Sequence, residues 1–238
     1  MKIIRILLLF LSIIAPTLML ADDVYPTINP KAIFITEEGE EESTSYTGSA
    51  PLEAHFYANP EYTEGWTEYY EWRFTGEGTQ QPYLIRYEQD TNYTFKSAGS
   101  TRIVCYAIFT QGRDSICYTQ DYWAEQEPII VSISESSLEM PNAFSPNGDG
   151  INDIYKAKQG YKSLVEFHAA IYNRWGQKLF EWDNPAEGWD GTYNGKDVAQ
   201  GVYFCRVRAL GADGIKYNFK RDVNLLRGYN EDRSTNAE

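Results

Sequence analysis

Histidine is nearly missing from this chain: His55 and His168 are the only two among 238 residues. Each sits inside an alternating apolar–polar segment, far from the other, and reads as a surface strand residue rather than a base or a metal ligand. The sequence also lacks His-Glu-x-x-His, Gly-x-Ser-x-Gly and any glycine-rich loop placed to cradle a phosphate ahead of a helix. Carboxylates are plentiful, but nothing marks one pair as the acid and nucleophile of a glycosidase. The expectation is a protein that is not an enzyme and has no certain cofactor. Cysteine is scarce as well, with three residues, enough for one bridge and one leftover thiol. Basic charge is in deficit: 21 Lys and Arg face 34 Asp and Glu, a formal net charge of −13. A surface of that sign repels phosphate backbones and acidic lipid, which argues against nucleic acid as a partner and leaves divalent cations open.

Only the start of the chain is strongly apolar. Lys2 and Arg5 precede the run Ile6–Ile14, and the acidic pair Asp22-Asp23 ends the segment just after Ala21. A basic start, an apolar core of about 7–15 residues and a small residue at the break describe a secretory signal peptide, here residues 1–21 with cleavage after Ala21. Pro16 interrupts the run before it reaches the roughly 20 residues that a membrane-spanning helix needs. No later segment is as apolar, so no membrane span is expected once the leader is removed. Loss of Lys2 and Arg5 takes the formal charge to −15.

What the sequence has in quantity is aromatic residues set in alternating patterns. Its 19 Tyr, 11 Phe and 6 Trp suit pleated, half-buried strands. Strands are expected at 31–36, 52–58, 69–74, 83–87, 92–96, 101–110, 115–123 and 129–134. The acidic run Glu37–Glu42 continues into Ser43–Ser49 as a solvated loop. Short strands with turn signals every 8–12 residues or so suggest a β-sandwich, and no amphipathic helix is expected. Within residues 22–134, three stretches resemble the PKD-like, immunoglobulin-type modules of bacterial surface proteins. They are Gly48-Ser49-Ala50-Pro51-Leu52, Tyr70-Glu71-Trp72-Arg73-Phe74, and Asn92-Tyr93-Thr94-Phe95 ahead of Ala98-Gly99-Ser100. The resemblance implies a sandwich with Trp72 between its sheets and a surface glycan or protein as the ligand.

Residues 135–139 read as a linker into a second unit at 140–227, followed by a polar tail at 228–238. Val165, Phe167, Ala169 and Ile171 share one strand face, with Glu166 and His168 opposite. Asn173-Arg174-Trp175-Gly176 is a turn, and Gln200–Leu210 with Ile215–Leu226 form a hairpin across Gly211–Gly214. The fold class expected is all-β, two antiparallel β-sandwich domains. Four motifs follow in order: Met140 to Asp153 (MPNAFSPNGDGIND), Ile171 to Phe180 (IYNRWGQKLF), Gly188-Trp189-Asp190-Gly191, and Gly201-Val202-Tyr203-Phe204. Together they are similar to the gliding-motility-associated C-terminal domain, the type B sorting module of the type IX secretion system in Bacteroidota. That resemblance implies the type IX translocon as a partner and delivery to the cell surface or the medium through the periplasm.

Two local sites are expected. Asn147, Asp149, the Ile151 carbonyl, Asp153 and Gly150 approximate the alternating oxygens and tight turn of a calcium loop. Lys156 stands where a closing glutamate would, and an Asx-rich turn that caps its own backbone fits the same residues. Cys105 and Cys117 flank the turn at Gln111–Asp114 and would form a disulfide if that loop is centred on Gln111. A turn centred between Gly112 and Arg113 would offset them. Three functional readings follow: cargo carried by a sorting domain, an accessory component of the outer-membrane secretion or gliding apparatus, and a carbohydrate-binding module.

Overall fold

A computed structural model describes residues 24–228 of the chain. The expected leader, its cleavage point and the tail from residue 229 onward lie outside the described residues. In β4 (Leu52–Tyr57), Leu52, Ala54 and Phe56 are buried while the residues between them are not, the period of a strand with one face on a core. β4 lies in a four-stranded antiparallel sheet ordered β2 (Gly39–Glu42), β1 (Lys31–Thr36), β4, β7 (Asp90–Phe95). The facing sheet runs β3 (Ser45–Gly48), β10 (Ile129–Ile133), β8 (Gly99–Gln111), β5 (Thr67–Gly76), β6 (Leu84–Arg86). β9 (Asp114–Tyr118) pairs with the far end of β8, and β3 with β10 is parallel.

Between these sheets Phe34, Phe56, Trp72, Phe74 and Phe109 are fully buried. Phe56 meets Phe74 edge to face at 5.3 Å. Trp72 satisfies its indole by donating to the Gln89 carbonyl at 3.0 Å, so its burial leaves no polar atom stranded. Trp72 thus lies in the core between the two sheets, as expected.

Three expectations for this unit are corrected. Of the expected loop over 37–49, Gly39–Glu42 is an edge strand, β2, exposed at every residue and paired with β1, and Ser45–Gly48 is strand β3, paired with β10. Charge keeps a segment solvated, and an edge strand is solvated; a row of glutamates there also discourages pairing with another chain. The strand expected to reach residue 123 stops at Tyr118, and one short helix, α1 (Gln120–Glu125), follows. Trp123 anchors it by donating to the Cys105 carbonyl at 2.8 Å. The segment 135–139 is not a free linker. Ser137 and Lys162 exchange backbone hydrogen bonds at 3.1 and 3.0 Å, Lys158 donates to the Glu139 carbonyl at 2.8 Å, and Asp213 accepts from the Ser136 amide at 2.8 Å.

The second unit is built on a five-stranded sheet, β11 (Ala143–Phe144), β19 (Lys216–Leu225), β18 (Gly201–Gly211), β13 (Leu164–Tyr172), β14 (Lys178–Trp182). Two short pairs complete it: β12 (Tyr155–Lys156) with β15 (Gly188–Trp189), and β16 (Thr192–Tyr193) with β17 (Lys196–Asp197). β18 is the axis, antiparallel to β13 on one side and to β19 on the other. Its Tyr203, Cys205, Val207 and Ala209 point into a core with Phe167, Ala169, Ile171, Phe144, Tyr155 and Trp189. The two units touch. The Ser163 hydroxyl bonds that of Ser134 at 2.9 Å and accepts from the Ala50 amide at 3.3 Å, and Ala98 donates to the Ala212 carbonyl at 2.9 Å. Val165 and Ala212 pack against the core of the first unit.

Gly188 has no room for a side chain: a Cβ there would collide with the Tyr155 carbonyl oxygen. Gly188→Ala should therefore force β12 and β15 apart and cost about 1–3 kcal/mol, the usual range for overpacking. A melting curve of the variant that superimposes on the parent's would show that the pair is not under this constraint.

Candidate functional site

Three of the four sequence motifs of the second unit, scattered over more than sixty residues, converge on one aromatic cluster, and the fourth, Ile171–Phe180, forms the end of β13, a turn and the start of β14. Phe144 lies 5.4 Å from Trp189, and Trp189 5.1 Å from Tyr203, ring centre to ring centre. Trp189 is fully buried and donates to the Thr192 carbonyl at 2.7 Å. The next two residues make the turn: the Asp190 carboxylate accepts from the Thr192 amide at 2.9 Å, and Gly191 has φ +81°. A Cβ at Gly191 would come within 3.1 Å of Leu225 and of Pro146. Arg227 pins the same turn, donating to the Gly191 and Val198 carbonyls at 2.7 and 2.9 Å. In the turn after β13, the Asn173 carbonyl oxygen of the side chain accepts from the amides of Trp175 and Gln177, each at 3.0 Å. The motifs are thus the fixings of a fold.

The loop 145–153 joins β11 to β12 and packs through Pro146 on the Gly191 turn. Gly148, Gly150 and Asn152 have φ of +82°, +84° and +53°, the left-handed region that glycine and asparagine tolerate best. This alternation turns successive N–H groups inward. The Asp153 carboxylate fills the resulting hollow, accepting from Asn147 at 2.9 Å, Gly148 at 2.7 Å and Gly150 at 2.8 Å. Those of Gly148 and Gly150, and then that of Asn147, hold the Asp153 carboxyl below its ordinary 3.8. Asp149 accepts from Ile151 at 2.8 Å, and the Asn147 side chain accepts from Asp149 at 2.9 Å. The oxygens considered as calcium ligands at Asn147, Asp149 and Asp153 are therefore turned onto the loop's own amides, the arrangement of an Asx-rich turn. Among the described residues no three His, Cys, Asp or Glu side chains gather around a common point suited to a metal ion.

The expected Cys105–Cys117 bridge is overturned. β8 and β9 pair Gln111 with Asp114, so the turn is centred between Gly112 and Arg113, and Cys117 lies opposite Ile108. Cys105 is three residues further along β8, an odd offset that puts it on the other face. Cys105 is buried, Cys117 is exposed, and all three cysteines are free. Burial raises the Cys105 thiol far above its usual range and pushes Cys205 up to about 12. The histidines also stay apart. His55 pairs with Glu53 at 3.0 Å on the first unit, and His168 with Asp183 at 2.7 Å on the second.

The outer face of the second sheet went unread in the sequence. On β18, Val202, Phe204, Arg206 and Arg208 alternate with the core residues; on β19, Lys216, Asn218, Lys220 and Asp222 do the same. The register sets Arg206 directly against Lys220, and Phe204 against Asp222. The signal was present as basic residues at every second position opposite Cys205 and Val207, a pattern that also describes an ordinary solvated face.

Two outcomes are expected. A thiol reagent should label Cys117 in the native protein and reach Cys105 and Cys205 only on unfolding; peptide mapping that finds Cys105 joined to Cys117 would contradict this register. Asp153→Asn should lower the melting temperature. The folded carboxyl is depressed, so its stabilisation is complete above about pH 4 and fades as pH falls through the lowered value. The gap between parent and variant should close in acid. Millimolar calcium should leave the parent's melting temperature unchanged, whereas a bound ion at 100-fold excess over its Kd would add about 2.7 kcal/mol.

Among the described residues no helix is long and apolar enough to cross a membrane. No curated protein matches the chain. Residues 138–221 match the family model of the CHU_C type IX secretion signal domain, beginning inside the segment bonded to the second unit and ending within β19. The match covers none of the first unit. A domain of this kind is a sorting signal on an exported protein; it implies engagement with the type IX secretion machinery and delivery to the cell surface or beyond.

Proposed function

We propose that this chain is a non-catalytic exported protein whose second unit directs type IX secretion and delivers the first unit, a PKD-like adhesive or spacer module, to the cell surface or the medium. The observation that carries the reading is the match over residues 138–221 to a secretion signal domain, on a stretch with its own core. A translocon that serves unrelated cargos must read something they share, so its signal is a fold that stands apart from the cargo surface. A unit whose sequence motifs fix turns and core rings, rather than a cleft, suits that task. A secretory leader at residues 1–21 would take the chain across the inner membrane first.

The test is a reporter placed between the leader and residues 135–238, in a host with a working translocon. The fusion starts at 135 because Ser136 and Ser137 are bonded into the second unit. Export of the reporter is expected, and truncation at Gly214 should abolish it. That cut removes β19, leaves the edge of β18 unpaired and takes Val223 and Leu225 out of the core. Reporter held in the periplasm by a folded, protease-resistant domain would point instead to an accessory component of the secretion or gliding apparatus.

A further inference from the structure

We infer that the outer face of the β13–β18–β19 sheet is the surface by which the second unit docks onto an acidic-rimmed protein of the export machinery. The inference rests on the sorting reading above and assigns that role to one face. On the three strands the outward positions carry Arg206, Arg208, Lys216 and Lys220 against only Glu166 and Asp222. The face is therefore cationic on a chain whose formal net charge is −13. Among the described residues none of these four basic groups makes an ion pair, although His168 beside Arg208 hydrogen-bonds Asp183. Like charges set directly opposite, as Arg206 and Lys220 are, weaken a sheet, so folding gives no reason for the arrangement.

The basic rows border an apolar end. Val202 is 50% exposed and Phe204 40%, and Trp175 at the tip of the β13–β14 turn is 76% exposed. Trp175 and Val202 line one shallow groove with Tyr193. Exposed aromatic and aliphatic side chains flanked by arginine are the composition of protein–protein contact centres, where Trp, Tyr and Arg carry most of the energy. A bare polyanion would use the basic rows and leave Val202 and Phe204 in water. The partner that fits both is a protein surface with an apolar patch and carboxylates beside it. Charge complementarity of this kind acts mainly on encounter rate and register, and it weakens with salt.

The experiment uses the full chain in a host with the translocon. It compares the parent, Arg206→Glu/Arg208→Glu, Arg206→Lys/Arg208→Lys and Val202→Ser/Phe204→Ser. All four side-chain positions point away from the core, so each purified protein should melt as the parent does. The Glu pair and the Ser pair are expected to accumulate in the periplasm, with the exported fraction down at least tenfold, while the Lys pair is exported. If either disruptive pair fails to fold, the other still decides. Export of both folded pairs at the parental level overturns the docking face and leaves the sorting reading intact. Retention of the parent itself overturns the sorting reading. Sedimentation showing that the parent self-associates and the Glu pair does not, with export unaffected, would give the face to a second copy. Loss of binding to a purified anionic polysaccharide, again with normal export, would give it to a glycan.

Discussion

The register of β18 governs the second unit. Ten residue pairs tie it to β19, and β13 borders its other edge. Because side chains alternate with a period of two, the same register that sends Tyr203, Cys205 and Val207 inward sends Phe204, Arg206 and Arg208 outward. A slip by one residue would bury two guanidinium groups and expose the core. The aromatic cluster of Phe144, Trp189 and Tyr203 holds the strand against such a slip, because Tyr203 has only one place to go. Core and face are two readings of one constraint.

The glycines near that cluster show why the motifs are so compact. Gly191 accepts a hydrogen bond from Arg227 while lying against Leu225 and Pro146, so two distant segments meet at a residue with no side chain. The loop 145–153 then completes itself, its Asp153 carboxylate neutralising the inward N–H groups that its left-handed residues create. Electrostatic self-sufficiency is what lets a loop carrying Asp149 and Asp153 stay ordered at the surface.

Much of this was legible from alternation. The strands around Trp72, the inward residues Phe167, Ala169 and Ile171, and the hairpin at Gly211–Gly214 follow from period-two patterning and turn residues, whereas Val165, expected on the same face, sits at a register irregularity and packs on the first unit instead. The failures share a cause: they depended on facts that a local pattern does not hold. Whether Cys105 faces Cys117 depends on where a turn is centred, and one residue decides it. Helix α1 has six residues and a single buried side chain, Trp123, too few to show a period. Residues 135–139 look like a linker in composition, since their partners Lys162 and Asp213 lie far along the chain. The Asn147–Asp153 residues fit both a cation loop and an Asx turn, because either needs the same oxygens and glycines.

The contacts between the units carry a consequence for the order of assembly. Synthesis runs from the amino end, and domains fold largely as they emerge. The amide of Ala50 finds its partner at Ser163, and that of Ala98 at Ala212, so this end of the first sandwich stays unfinished until nearly the last strand of the chain has been made. The first unit is completed by contacts with the unit that matches the secretion signal domain. A molecule cut short before Ala212 would keep Ser163 for the Ala50 amide but leave the Ala98 amide without its acceptor and the apolar margin that Ala212 covers open to water.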